Sequence, residues 1–257
     1  MKVYFVGAGP GDPDLITVKG ADLITRADII IYAGSLVPPE IFETRNKTAR
    51  IYNSASMNLE QVTAVYLENK EKPGIIVRLH TGDPSLYGAI QEQIDFLKEN
   101  SIDFQVVPGI SSFQAAAAAM GRQLTLAGVS QSVIITRAEG RTKLPPSEDL
   151  SILAKAKTTM VLFLSVDKPR RIMEKLIPEY GEQTPVAIVY RVGWPQEKIV
   201  YGHLAELDKL VEDNKIERQA LIFIGNFLSS DSEGYEKSRL YAREFSHGFR
   251  KADNTDG

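Results

Sequence analysis

The strongest constraint on how this chain can fold is an alternation along its length. Short apolar runs rich in β-branched residues take turns with amphipathic stretches of helical spacing. Strand signals at "KVYFVGAG", "DIIIYAG", the weaker "RIYNSA", "GIIVRLHTGDP" and "DFQVVPGI" are separated by helix signals at "TVKGADLITRA", "NLEQVTAVYLENK", "LYGAIQEQIDFLKEN" and "SSFQAAAAAMG". Val18, Leu23 and Ile24 share one side of the first helix, and Asn58 with Gln61 has the spacing of a reciprocal cap. Strands that alternate with helices predict a mostly parallel sheet covered on both faces. A second series begins near residue 130, with strands "QSVIITRA", "TTMVLFLS", "TPVAIVYRV", "KIVYGHL" and "QALIFIGNF" and helices "DKPRRIMEKLIPEYG" and "HLAELDKLVEDN". The short turn "GWPQE" between two of these strands predicts an antiparallel hairpin, hence a mixed second sheet. The expected fold class is therefore α/β. An N-terminal domain covers 1–121 and a C-terminal domain 122–230. A polar tail follows over 231–257, helical at "YEKSRLYAREF" and disordered at "NTDG".

A length of 257 residues suits two such domains. No apolar run reaches the roughly 18 residues a membrane helix needs. The chain enters its first strand without an apolar signal region, so a cytoplasmic location is expected and no membrane partner. With no cysteine there is no disulfide, thiolate ligand or thiol nucleophile. His80, His203 and His247 lie far apart, so no metal site is expected and each is read first as structural or surface. A net charge of −3, with no basic stripe interleaved with aromatics, argues against a nucleic-acid partner.

Three loops at strand ends stand out. The first, in "VYFVGAGPGDPDL", places glycines at 7, 9 and 11 but Asp12 where a dinucleotide fingerprint needs its last glycine. Pro10 and Pro13 remove N–H donors that a pyrophosphate would use, and Asp12 would repel it. No lysine of a phosphate loop follows. The loop is thus a tight strand-to-helix turn or the site of a different ligand. In the second loop, "HTGDPSLYG", Gly82 allows close backbone approach. Asp83 is either an acceptor for a ligand or a turn residue bonding its own backbone. The serines of the third, "VPGISSF", either cap the alanine-rich helix or face a ligand.

"VGAGPGDPDLITVKG", "HTGDPSLYGA" and "VPGISSFQAAAA", in this order, resemble the tetrapyrrole methylases that use S-adenosylmethionine (SAM). "ITRAEGRTKLP" and "VYRVGWPQEKIV" resemble the branch that methylates C11 of precorrin-4 or cobalt-precorrin-4 in cobalamin synthesis, and the likeness extends to "FSHGFRK" near the end. The resemblance implies two α/β domains, a homodimer and SAM held in a cleft between the domains. It implies cofactor contacts at Pro10, Gly82, Asp83, Leu86, Ser111, Ser112, Leu164, Val192 and Ala220. Ser111 and Ser112 stand where many relatives have Thr-Ala, and Leu164 where some have Met.

SAM brings its own activated methyl group, so the protein needs mainly to align the acceptor and exclude water. The implied acceptor is a tetrapyrrole bearing many carboxylates. On a net-negative chain it calls for a local positive surface, and the candidates are Arg137 and Arg141 bracketing Glu139, with Lys143 and Arg122 behind them. The bland reading of that cluster is an ordinary solvated surface. Methylation of C11 makes a quaternary carbon, so no proton leaves that atom. Asp12 is the candidate for orienting or stabilising the cationic product. Other functions to be tested are methylation at another tetrapyrrole position or of another acceptor, an NAD-type oxidoreductase, and a non-catalytic ligand-binding protein.

Overall fold

In a computed structural model of the chain, residues 1–229, 235–237 and 242–252 are described. The chain forms two compact units. The first comprises Met1–Ala119 and Arg191–Lys198, the second Met120–Tyr190 and Ile199–Gly257, so the chain passes from one to the other three times. The segment Arg191–Lys198 is the departure from a linear division, because the sequence places it in the second domain.

In the first unit, β1 (Lys2–Gly7), β2 (Ile29–Tyr32), β3 (Arg50–Asn53), β4 (Ile75–His80) and β5 (Phe104–Val107) form a sheet of order β3-β2-β4-β1-β5. Every neighbouring pair is parallel. Helices α1 (Val18–Arg26), α2 (Leu59–Asn69), α3 (Gln91–Glu99) and α4 (Ser112–Ala119) lie between or after the strands. Side chains alternate across the sheet with period two. Val6, Ile30, Val77 and Leu79 pack with Leu23 and Ile24 of α1. Val3, Phe5, Ile29, Ile31 and Ile76 pack with Val62, Val65 and Tyr66 of α2 and Ile94 and Leu97 of α3. The expected cap of α2 is present, with Asn58 and Gln61 bonding each other's backbone N–H at 2.9 Å.

At the carboxyl edge of this sheet the connections diverge. From β1 the chain leaves towards β2, on the far side of β4. From β4 it leaves towards β5, on the far side of β1. Oppositely directed crossovers open a crevice at that edge, where sheets of this kind bind ligands. One helix of this unit begins later than its composition predicts. The helix expected from Leu86 starts only at Gln91, because Tyr87 (φ 56°) and Ala89 (φ 48°) adopt left-handed conformations that a helix cannot include.

The second unit holds β6 (Val133–Arg137), β7 (Thr159–Phe163), β8 (Pro185–Tyr190), β9 (Lys198–His203) and β10 (Ala220–Ile224), in the order β6-β7-β10-β8-β9. β6 and β7 are parallel, whereas β10 is antiparallel to both β7 and β8, so the sheet is mixed. β9 lies beside β8 at the edge. Helices α5 (Leu150–Leu153), α6 (Pro169–Tyr180) and α7 (Leu207–Asp213) accompany the sheet, and α5 has no counterpart in the sequence expectation. Leu162, Ile172, Leu176, Ile188, Leu204 and Ile222 are fully buried in its core. Each such side chain contributes about 1.5–3 kcal/mol. The helix expected over 235–245 lies partly outside the described residues, and the "NTDG" end wholly so.

Candidate active site

The loops that follow β1, β4 and β5 emerge from three adjacent strands and meet backbone to backbone. Ala8 N–H donates to His80 O at 2.7 Å, and Gly9 and Gly82 exchange hydrogen bonds of 3.3 and 2.7 Å. A Cβ on Gly7 would lie 2.6 Å from Gly109 Cα and from Gly82 O. No side chain fits at this junction, and the three glycines are what let the loops close on one another. Asp83 joins two of the loops. Its Oδ1 accepts from Ser85 N–H at 2.8 Å and from the Ser85 hydroxyl, and its Oδ2 from Gly109 N–H at 2.9 Å. Burial acts to raise the Asp83 pKa, but the bonds from Ser85 and Gly109 outweigh it and hold the carboxyl below its ordinary value. Asp83 is thus the self-bonding turn residue, and also a brace.

Gly82 (φ 61°) faces the backbone of Ser111 and Ser112. Ser111 is buried, and its N–H donates to Gln114 Oε1 at 3.2 Å at the start of α4. Leu86 is half-buried and follows Asp83 in the same turn, its N–H donating to Asp83 O. Pro10 is buried. Asp12 is half-buried, and its Oδ1 accepts from Asp14 N–H at 2.9 Å to cap a short 3-10 turn over Pro13–Leu15. That turn separates the glycines from α1, whose first turn is capped by Thr17. The N–H groups of a helix start, which a pyrophosphate would need, are therefore not at the glycines. Gly7–Thr17, Thr81–Ile90 and Pro108–Phe113 contain no lysine or arginine. The lining suits a neutral or positively charged ligand and opposes a phosphate.

Beneath this edge, His80 and Arg78 point into the core that holds Tyr66, and Tyr66 donates to Gln93 Oε1 at 2.7 Å. Burial first, and the Arg78 cation second, push the His80 pKa down to about 3. His80 is a structural neutral residue whose carbonyl, not its ring, serves the loops.

In the second unit, Leu164 and Ala220 come to the same sheet edge. Ala220 pairs with Tyr190, and Ile222 pairs with Leu162. Leu164 directly follows the last residue of β7, and Ala220 opens the neighbouring β10. Leu164 has φ 52° and is 66% exposed, a combination that a β-strand end does not require. The next residue is fixed. Ser165 Oγ accepts from Ala138 N–H at 2.7 Å and donates to Phe163 O at 2.5 Å. Val192 is buried and belongs to the Arg191–Lys198 segment of the first unit.

The cationic candidates divide. Arg137 donates to Thr142 O at 3.2 Å and Lys143 O at 3.3 Å, which straps its own loop. Arg122 donates to Ser229 O at 3.2 Å. Glu139 pairs with Arg171 of α6 rather than with either bracketing arginine. Arg141 and Lys143 are exposed, and neither enters an ion pair among the described residues. Beside them a depression of about 290 Å³ is lined by Glu139, Lys143, Leu150, Arg171 and Lys175, among others.

Residues 2–208 match the family of tetrapyrrole (corrin/porphyrin) methylases. The chain is a member of that family. Among its relatives, the cobalt-precorrin-4 C(11)-methyltransferase of Methanocaldococcus jannaschii is 49% identical over 98% of this chain and 96% of its own. A solved cobalt precorrin-4 methyltransferase of cobalamin biosynthesis superposes with a TM-score of 0.87 at 44% identity, covering 89% of this chain and 96% of that one. The uroporphyrin-III C-methyltransferase of Thermus thermophilus, solved with S-adenyl homocysteine, gives 0.72 at 26% identity over 89% and 93%. In this tetrapyrrole methylase, sequence reasoning missed Gly7 and Gly109 as packing partners, although they sit in the first and third strand-end loops. It also missed Trp194, whose indole donates to Pro10 O at 3.1 Å. The signal was "GWPQE", read as a turn and as part of a family motif, with no role given to its tryptophan.

Proposed function

We propose that this chain is a SAM-dependent C-methyltransferase that methylates C11 of cobalt-precorrin-4, or of precorrin-4, in cobalamin biosynthesis. The observation that carries the proposal is 49% identity to a cobalt-precorrin-4 C(11)-methyltransferase over 98% of this chain, combined with three strand-end loops that contain no lysine or arginine. SAM supplies a methyl group on a sulfonium when bound. The residues fit it, because the three strand-end loops carry Asp12 and Asp83 and no lysine or arginine, a lining that suits a cation. We place the donor's contacts at Pro10, Gly82, Asp83, Leu86, Ser111, Ser112, Leu164, Val192 and Ala220. In transfer, the C11–methyl bond forms as the sulfur–methyl bond breaks, leaving S-adenosylhomocysteine. What the protein does is orient the acceptor and keep water out.

We assign Arg141 and Lys143 to substrate carboxylates, supported by their exposure and lack of an ion pair among the described residues, with Arg137 holding their loop in shape and Arg122 assisting. Asp12 orients or stabilises the cationic product; an Asp12→Asn enzyme should lose turnover, and one with full turnover would remove that role. The working form is taken as a cytoplasmic homodimer. No described helix is long and apolar enough to cross a membrane.

The function is tested by incubating the protein with labelled SAM and the trimethylated precursor, with and without cobalt, followed by mass and carbon NMR analysis. One label at C11 is expected. Label at another ring carbon, or none in either form, overturns the assignment.

A further inference from the structure

The segment Arg191–Lys198 groups with the first unit, where it meets the loop after β1 at two points. The Trp194 indole donates to Pro10 O at 3.1 Å, and a Cβ on Gly11 would overlap indole Cδ1 and Nε1. At Gly193 the backbone itself closes in, since a Cβ there would stand 3.0 Å from Asp12 N. The turn that presents these groups is fixed from within. Trp194 N–H donates to Arg191 O at 3.0 Å, and Glu197 N–H donates to Trp194 O at 2.9 Å. Glu197 Oε2 accepts from Gly193 N–H at 2.8 Å, and the Arg191 guanidinium lies 5.3 Å from the centre of the indole ring. Pro10 cannot rotate about φ. With Gly9 already held by its two bonds to Gly82, the freedom left to the loop is rotation of the peptides flanking Gly11. Those peptides are what the indole bond to Pro10 O and the indole surface against Gly11 immobilise.

We propose that Trp194 is a positioning residue of the methyl-donor site, setting the Gly9–Asp12 backbone through the Pro10 carbonyl and Gly11 without touching the reacting atoms. This rests on the reading of the chain as a SAM-dependent methyltransferase. A tryptophan that only filled space would matter to stability and not to ligand affinity once the protein is folded. Because Trp194 is the only tryptophan in the chain, tryptophan emission reports on the surroundings of this indole and no other.

Trp194→Phe keeps a ring against Gly11 and removes the N–H. Calorimetric titration with S-adenosylhomocysteine should show binding about fivefold to tenfold weaker in the folded variant, the worth of one net hydrogen bond. The KM for SAM should rise more than kcat falls. In the wild type, tryptophan emission should change along the calorimetric isotherm. Unchanged Kd and KM in folded Trp194→Phe overturn the positioning role and leave the methyltransferase assignment standing. Wild-type protein that binds no S-adenosylhomocysteine overturns both. If Trp194→Phe does not fold, Glu197→Ala takes its place: it releases only the Gly193 N–H at an exposed turn. Weaker binding is again expected, and unchanged binding again overturns the role.

Discussion

Leu164 is held left-handed at φ 52° with its side chain two-thirds open to solvent. For a leucine that conformation costs about 1–2 kcal/mol, whereas glycine there loses about 0.5–1 kcal/mol of chain entropy. The strain outweighs the entropy loss, so Leu164→Gly should raise stability by about 0.5–1 kcal/mol in urea unfolding. The proposed role at the donor predicts that the same variant binds S-adenosylhomocysteine more weakly. A variant that loses stability and keeps its affinity would make Leu164 an ordinary packing residue. His80 yields a second residue-scale prediction. Folded, its pKa is about 3; unfolded, it titrates near 6.5. Between these values the unfolded chain takes up a proton that the folded chain refuses. Stability therefore falls as pH drops from about 6.5, with a slope of up to about 1.4 kcal/mol per pH unit. His80→Phe should flatten the stability profile between pH 6.5 and 4. Asp83, held below its ordinary value, loses its contribution only at lower pH still, as its carboxylate is protonated. Motif likeness could name Leu164 in the sequence, but nothing in "VLFLS" announces its backbone conformation. The residue after it, Ser165, is tied to Ala138, a contact 27 residues away that no local pattern shows.

At the scale of elements, the contact of Gly7, Gly82 and Gly109 holds three loops in one place. A Cβ on Gly109 would lie 2.7 Å from Gly7 Cα and would also overlap Gly82 O. Both neighbours are backbone, so neither can swing aside. Gly109→Ala should cost about 1–3 kcal/mol by overpacking and weaken S-adenosylhomocysteine binding by more than tenfold. Melting and calorimetry check the two parts separately. The strands and most helices were legible because their apolar spacing is local and their two-faced burial follows from it. The start of α3 was not. "LYGAIQ" has helical composition, yet the left-handed Tyr87 and Ala89 keep it in the loop. Residues 150–153 were missed as a helix because four residues carry too little periodicity to show.

For the whole molecule, the net charge of −3 makes the placement of cations decisive for an acidic substrate. Arg141→Ala with Lys143→Ala should raise the KM for the tetrapyrrole about tenfold or more while leaving S-adenosylhomocysteine affinity unchanged. Arg137→Ala should instead loosen the Thr142–Lys143 loop it straps. Steady-state kinetics beside calorimetry separates these effects. The linear division into halves could be drawn from the two series of strands, but the membership of Arg191–Lys198 could not. It rests on contacts such as the Trp194 indole on the Pro10 carbonyl, 184 positions away, and Gly193 against Asp12, pairings that no local pattern encodes. That return visit restricts how such a gene can be cut and recombined. A chimera that swaps everything after residue 120 for a cousin's half imports a foreign clasp for its own glycine corner. The two must be inherited together if the graft is to work.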